Sequence, residues 1–429
     1  MVKSVWKSAL KVIPLMLVGV FVVGAAGGVS GPEKEVRAEV DEPAATYWVY
    51  VLAESADRIH RIRFGPEGAQ VENTAPIGMF PVTMEGPHGI QVSPDGEHFY
   101  VTTGHGVPDG MFWKYRVGDD EPVSEPIGLG RFPATVDLTP DGLYGFVANF
   151  NLHGAMVPSS ISTIYLPTME EIARTETCTM PHGSRVSPDG QHHYSVCMMD
   201  DQLVEISTLD FQVSRRFSVV QGEEGPIEVE PRVAEGEDGP HPEPGQEPHD
   251  HHDHPGHPDG EDLPDPADRH EHDPAGEGAH GSTCTPTWAD TDPSGGRIYV
   301  ACSATDEILE IDREEWTLLR RFATERGPYN LEVAADERTL VVTLKQGNGV
   351  QFFDLESGES LAVRDSSIDV THGVVTTPDG RYAFVSVEGR GGEPGKVDIY
   401  DLRTFEQVES VEVRQQAAGI AFLRMEGGG

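Results

Sequence analysis

Basic side chains are scarce in this chain. Against 72 aspartates and glutamates stand 31 lysines and arginines, giving a formal net charge of −41 at pH 7 with histidine neutral. Nothing in that balance would neutralise a phosphate backbone, which excludes nucleic acid as a partner. The excess acid favours solubility and attracts cations. Cysteine is scarce too, with four residues and none before Cys178. A lipoprotein anchor is therefore not expected, and no Cys-x-x-Cys-His haem attachment motif occurs. Long hydrophobic runs are missing as well: Val12 to Ala26 is apolar over 15 residues, short of the roughly 18 that a spanning helix needs. Lys3, Lys7 and Lys11 precede that run and the small residues Gly24 to Gly28 follow it. Residues 1–29 thus read as a secretory signal, or an N-terminal anchor if uncut, followed by a linker over 30–44. Any membrane contact would run through that segment alone. In an exported chain the cysteines are expected to be disulfides or metal ligands.

What the chain has in quantity is repetition. Pro87-His88-Gly89-Ile90-Gln91-Val92-Ser93-Pro94-Asp95-Gly96 recurs as Pro181-His182-Gly183-Ser184-Arg185-Val186-Ser187-Pro188-Asp189-Gly190. It returns as Thr371-His372-Gly373-Val374-Val375-Thr376-Thr377-Pro378-Asp379-Gly380. An alternating strand, a Pro-Asp-Gly turn and a second strand make a hairpin. The turn appears at Pro94, Pro140, Pro188, Pro293 and Pro378, with a degenerate copy at Ala335-Asp336-Glu337. The spacings are 46, 48, 105, 42 and 43 residues; propeller blades of four strands repeat at about 40–50. The long gap is one blade plus an insertion. Inner strands are expected to start near His88, Ala134, His182, Thr287, Tyr329 and His372, with a seventh at Ala418–Phe422. That last strand lacks downstream partners, and the strands Tyr47–Leu52 and Arg58–Arg63 lack an inner strand upstream. Joining them gives an all-β, seven-bladed β-propeller over 45–424, its last blade closed by the N-terminal strands, with a short tail at 425–429.

The string Ile298-Tyr299-Val300-Ala301-Cys302, with Phe99-Tyr100-Val101-Thr102-Thr103 and Phe146-Val147-Ala148-Asn149, resembles the YVTN-type propeller repeat. That superfamily is similar to the propellers of cytochrome d1 and nitrous oxide reductase. The resemblance covers roughly residues 45–424 apart from the insertion. It speaks to fold more than activity, because propellers host unrelated functions.

Counting register outward from the turn sets Ser187 opposite His192, and so His182 opposite Cys197, Thr287 opposite Cys302 and His88 opposite Thr103. His105 and His153 follow the ends of second strands. All these positions fall on one face, around the axial channel. The expected metal site is therefore His88, His105, His153, His182 and His372, with Cys197 and Cys302 nearby and Cys178, Met180, Met198, Met199 and Cys284 close in sequence. Imidazole with sulfur suits copper first and zinc second. The bland alternative is a histidine hydrogen-bonded to the neighbouring blade for structural reasons. For the cysteines the alternative is two disulfides, Cys178–Cys197 and Cys284–Cys302, each bracketing one hairpin; a given cysteine cannot serve both uses. His98, His192 and His193 are expected at the surface, and His60 in a structural role.

Residues 221–281 differ from everything else. They hold 9 of the 18 histidines, 19 acidic against 2 basic residues, 11 prolines and no Phe, Tyr or Trp. Such a segment cannot build a core and is expected to be disordered when unliganded. His249, His251, His252, His254, His257, His270 and His272, interleaved with carboxylates, have the composition of a transition-metal chelating tract.

The leading expectation is an exported, periplasmic or extracellular metal-binding propeller. Its loop would capture ions and its rim hold them, with redox chemistry and an electron-transfer partner as a subordinate expectation. A non-catalytic cell-envelope propeller that binds another envelope protein is the alternative, and a lactonase-like hydrolase comes third. The resemblance to nitrous oxide reductase does not carry its activity over, since no cupredoxin segment is present here and no inner strand has more than one histidine.

Overall fold

The computed structural model describes residues 42–80, 82–106, 110–229 and 282–427. By its contacts the chain divides into Met1–Glu39 and Val40–Gly429. The segment expected to direct export, most of the linker and all the histidines of the expected chelating tract lie outside the described residues.

Seven antiparallel sheets form the second unit, and each runs outward from a strand at the channel. The innermost strands of blades one to six are Pro87–Val92, Pro133–Leu138, Pro181–Val186, Pro286–Thr291, Pro328–Val333 and Thr371–Thr376. Blade seven joins the two ends of the chain. Its innermost strand, Ala417–Gly427, pairs with Ala45–Ala53, from Ala53 opposite Ala417 to Ala45 opposite Gly427. The last strand therefore includes most of what the sequence suggests is a tail. Each sheet packs on a neighbour through both faces, so the apolar clusters lie between blades. Tyr47 and Phe64 of blade seven meet Tyr382 and Phe384 of blade six, while Tyr50 stacks on Phe99 of blade one at 4.3 Å. This is why a strand such as Thr339–Leu344 is buried along its whole length rather than alternating.

The Pro-Asp-Gly turn is built from its own side chains. Ser93 Oγ donates to Asp95 at 2.5 Å, Ser187 to Asp189 at 2.5 Å and Thr377 to Asp379 at 2.5 Å. The glycine that follows takes a positive φ, 70° at Gly96 and Gly190, which a residue without a Cβ does at little cost. In the degenerate copy Glu337 takes that conformation at 55°.

At the other end of each inner hairpin the structure departs from simple counting. Ser187 does pair with His192, but a bulge slips the register by one residue, so Pro181 and not His182 lies opposite Cys197. The same slip sets Pro286 opposite Cys302 and Pro87 opposite Thr103. A bulge re-aims the side chain that it carries. The residue just before each inner strand is moreover left-handed: Gly86, Phe132, Met180, Thr285, Gly327, Val370 and Gln416 have φ between 46° and 69°. That reversal sets the incoming segment beside the hairpin, and before blade three this segment is the outermost strand of blade two, Glu170–Thr179. Cys178 is thereby brought to Cys197 with Cα atoms 5.8 Å apart, and Cys284 to Cys302 at 4.7 Å, and both pairs are disulfides.

The insertion begins later than its composition indicates. Residues 221–229 are described, and Gly225–Ile227 adds a fifth strand to blade three by pairing with Arg216–Ser218. Where the chain returns, the buried Asp201 carboxylate accepts bonds from Ser282 Oγ and from the backbone N–H groups of Thr283, Cys284 and Thr285.

Replacing Cys178 and Cys197 together by alanine should lower the unfolding free energy by about 2–4 kcal/mol, read from urea denaturation. Thiol counting on the denatured, unreduced wild-type protein should find no free thiol.

Candidate functional site at the channel mouth

The second residue of each inner strand faces the channel, and around the ring these are His88, Ala134, His182, Thr287, Tyr329, His372 and Ala418. The two alanines leave room for His88 to approach the others. Its ring centroid lies 5.4 Å from that of His372 and 6.0 Å from that of His182. Tyr329 fills the opposite arc, 4.8 Å from His372, with its hydroxyl 3.4 Å from His182 Nε2. Glycine follows each of these histidines because the blades nearly touch there. A Cβ on Gly89 would lie 2.5 Å from the Ala134 carbonyl oxygen, and one on Gly183 2.5 Å from that of Thr287. The His-Gly pair is thus a packing signature as well as a chemical one.

Backbone carbonyls orient two of the imidazoles. His88 Nδ1 lies 3.0 Å from the oxygen of Ala134 and His182 Nδ1 2.8 Å from that of Thr287. A carbonyl only accepts, so Nδ1 carries the proton in each, and in the neutral ring Nε2 is left with a lone pair. His372 stands in the same place before Ala418. That carbonyl already accepts the Ser386 hydroxyl at 2.5 Å, and His372 Nδ1 makes no hydrogen bond of ordinary geometry. Burial, assisted by Lys345 and the two other histidines, holds the His372 pKa well below the usual imidazole range. It is neutral at pH 7. Lys345 Nζ sits 3.1 Å from Glu388 and 4.3 Å from the centre of the Tyr329 ring, and His372 Nε2 is 3.8 Å from the same carboxylate.

His105 and His153 lie further out, with ring centroids 5.6 Å apart, and Phe132 separates them from His88. His105 Nε2 is 3.4 Å from Glu54 Oε1. Burial opposes ionisation of Glu54, yet His88, His105 and Lys345 outweigh it and hold that carboxyl below its ordinary range. The five rim histidines are therefore linked through a chain of ring contacts on one face. Their nitrogens do not converge on one point. Among the described residues, only Asp95, Glu97 and His98 place three donor atoms within 4.8 Å of one another, on an exposed hairpin.

Two expectations need correction. Cys197 and Cys302 are tied up in disulfides and drop out of the ligand set. His193 is no surface residue: it is fully buried, stacked on Phe146 at 4.8 Å, and burial lowers its pKa to about 3. On the second strand of blade three His192 and His193 point to opposite sides, and His193 faces the core between blades. His60 is buried between Thr74 and the Arg414 amide, in keeping with a structural role.

One tier down the channel lies a set that motif reading missed. Three residues past the histidine position are Gln91, Asp137, Arg185, Asp290 and Glu332. Arg185 Nε lies 3.2 Å from Asp290 and its Nη2 3.8 Å from Glu332. Gln91 donates to Asp137 at 2.7 Å. Each carboxylate also accepts a backbone N–H from another blade, those of Val186, Val333 and Thr376. Burial pushes the Glu332 carboxyl up to about 7 and Asp290 up to about 6, although Arg185 works against both shifts. Aligning that column across the blades would have exposed the set, since a charge on an inner strand is out of place unless paired.

Fold and site together define a seven-bladed propeller with an imidazole-lined mouth above a charged inner ring. No protein-family model matches the chain, and no curated protein matches it. Solved structures with the same fold are found. The periplasmic gluconolactonase of Pseudomonas aeruginosa is 15% identical with a TM-score of 0.59, covering 88% of this chain and 99% of that one. A candidate 6-phosphogluconolactonase from Bacteroides fragilis is 12% identical with a TM-score of 0.58, covering 88% and 98%. Hydrazine synthase of Kuenenia stuttgartiensis is 15% identical with a TM-score of 0.54, covering 80% and 93%. At such identities the likeness concerns the fold.

The raised carboxyl pKa values fix a pH trend. Folded Glu332 and Asp290 hold their protons more tightly than in the unfolded chain, so unfolding releases protons between the unfolded and folded pKa values. Their contribution to stability is then present at low pH and is lost as pH rises through roughly 4–7. Thermal midpoints of wild type and Glu332→Gln, measured from pH 4.5 to 7.5, should converge at the acid end and separate toward neutrality, with the variant's slope flatter.

Proposed function

We propose that this protein is an exported metal-binding propeller that holds a transition-metal ion at its channel mouth, copper first and zinc second. The observation that carries this reading is the pinning of His88 and His182 through Nδ1 to backbone carbonyls. Metal-binding histidines are commonly oriented in this way, which leaves Nε2 to ligate. His372 adds a third imidazole, kept neutral, with His105, His153 and Glu54 at the rim. Small rotations of the rings would be needed to bring three nitrogens onto one ion. With the cysteines paired, the preference for copper no longer rests on thiolate softness. It rests on the general affinity order for nitrogen ligands, in which Cu²⁺ exceeds Zn²⁺. The chelating tract of His249, His251, His252, His254, His257, His270 and His272 would raise the local ion concentration by tethering. Two disulfides are in keeping with an oxidising compartment and so with export. If the site binds no metal, the structural hydrogen bonds of the histidines favour the envelope interaction propeller instead.

The test is metal analysis of the exported protein after exposure to Cu²⁺ or Zn²⁺ and exhaustive dialysis, with and without residues 230–281. The expected result is one ion per chain retained without the loop. His88→Ala, His182→Ala and His372→Ala should each weaken that ion by at least about tenfold, the scale on which even outer-shell partners act. Unchanged retention in all three variants would sink the proposal.

A further inference from the structure

Two of the hairpin turns, at the end of the blades away from the channel mouth, carry histidine. They are Ser93-Pro94-Asp95-Gly96-Glu97-His98 in blade one and Ser187-Pro188-Asp189-Gly190-Gln191-His192 in blade three, and they differ only at the fifth residue. In blade three the turn already grips a cation. The Arg313 guanidinium reaches in from blade four, its Nη2 2.6 Å from Asp189 Oδ2 and 3.0 Å from His192 Nδ1. One positive nitrogen thus sits between the carboxylate and the ring.

Blade one keeps the aspartate and the histidine but receives no arginine. Arg313 follows the third strand of its blade and donates its backbone N–H to the Gly296 carbonyl. The residue that makes the same bond in blade two, to the Leu143 carbonyl, is the buried Leu166. Where that cation is missing, Glu97 replaces Gln191 and adds an anionic donor. One donor atom each from Asp95, Glu97 and His98 then lie within 4.8 Å of one another. Asp95 spends Oδ1 on the turn, accepting Ser93 Oγ at 2.5 Å and the Glu97 N–H at 2.9 Å. Among the described residues, no hydrogen bond engages Asp95 Oδ2, the Glu97 carboxylate or the His98 ring.

We propose that Asp95, Glu97 and His98 form a zinc site with its fourth position open to water. Two carboxylates balance the charge of the ion, and three nitrogen and oxygen ligands with one open position suit zinc. Calcium and magnesium favour oxygen alone. Tetrahedral bonds near 2.1 Å set donors about 3.4 Å apart, and both carboxylates are exposed and can swing in. The positive groups alongside are engaged: Arg116 pairs with Asp119 at 2.8 Å, and Lys114 stands 5.7 Å from the centre of the Tyr100 ring. The site is separate from the channel mouth and does not depend on metal binding there.

The test follows imidazole resonances of the whole protein during titration with Zn²⁺, with those of His98 and His192 assigned by their loss in His98→Gln and His192→Gln. A saturable shift of His98 is expected, with a dissociation constant in about the micromolar range. Glu97→Gln keeps the backbone N–H that the turn uses and should weaken binding at least about tenfold, the scale on which even outer-shell partners act. His192, held by Arg313, should not move. A His98 resonance that stays still while other histidines respond would overturn the proposal and leave the mouth reading untouched. So would an equal affinity in Glu97→Gln, or an equal response of His192, since either would mean that a lone imidazole takes the ion.

Discussion

One antiparallel pairing, Ala45–Ala53 against Ala417–Gly427, closes the ring. Without it, two sheet edges would lie bare and blade seven would lack either its innermost strand or its outer three. Every interblade cluster presupposes that circle, since each sheet is buried on both faces only when both neighbours are present. The channel exists for the same reason. Seven inner strands held at a fixed circumference leave a narrow axis, and the near-contacts at Gly89 and Gly183 show how little slack there is.

That narrowness gives the channel its chemistry. Side chains of the second and fifth inner-strand positions have nowhere to go but inward, where they must satisfy one another or the next blade's backbone. The imidazole tier does this through carbonyl oxygens, and the tier below through Arg185 and its carboxylates. Both tiers are polar groups withdrawn from bulk water, which is why Glu332 and Asp290 cling to protons while His372 refuses one. Lys345 bears on the imidazole tier through His372 and Glu54, so a bound cation there would act against a neighbouring positive charge as well as dehydration.

Much of this architecture is legible in the sequence. The Ser-Pro-Asp-Gly turn is a local code, written in residues that bond to themselves, so blade number, strand starts and ring closure follow from counting. The placement of His88, His182 and His372 on one face follows too. What counting misses is non-local. The one-residue bulge opposite Cys197 and Cys302 arises where the incoming segment reverses at a left-handed residue, and Met180 and Thr285 carry no mark of that conformation. The disulfides depend on that reversal, so spacing alone does not separate them from thiolate ligands, and only the oxidising compartment expected of an exported chain favours them. Alternation misleads at His193 because the second strand of blade three is buried on both faces beyond its first residue. Arg185 and its partners are hard to see in the sequence because their column is conspicuous only when blades are laid side by side.

The two disulfides stand on either side of the long connector between residues 229 and 282, yet neither spans it. Cys178–Cys197 ties the outermost strand of blade two to blade three and Cys284–Cys302 lies at the entry to blade four, with 19 and 18 residues between partners. A protease cutting within the connector would therefore produce two polypeptides with no covalent link, whether or not the bridges are oxidised. Blade three would go with one fragment and blade four with the other. The two would stay together only through interblade packing and the pairing of Ala417–Gly427 with Ala45–Ala53.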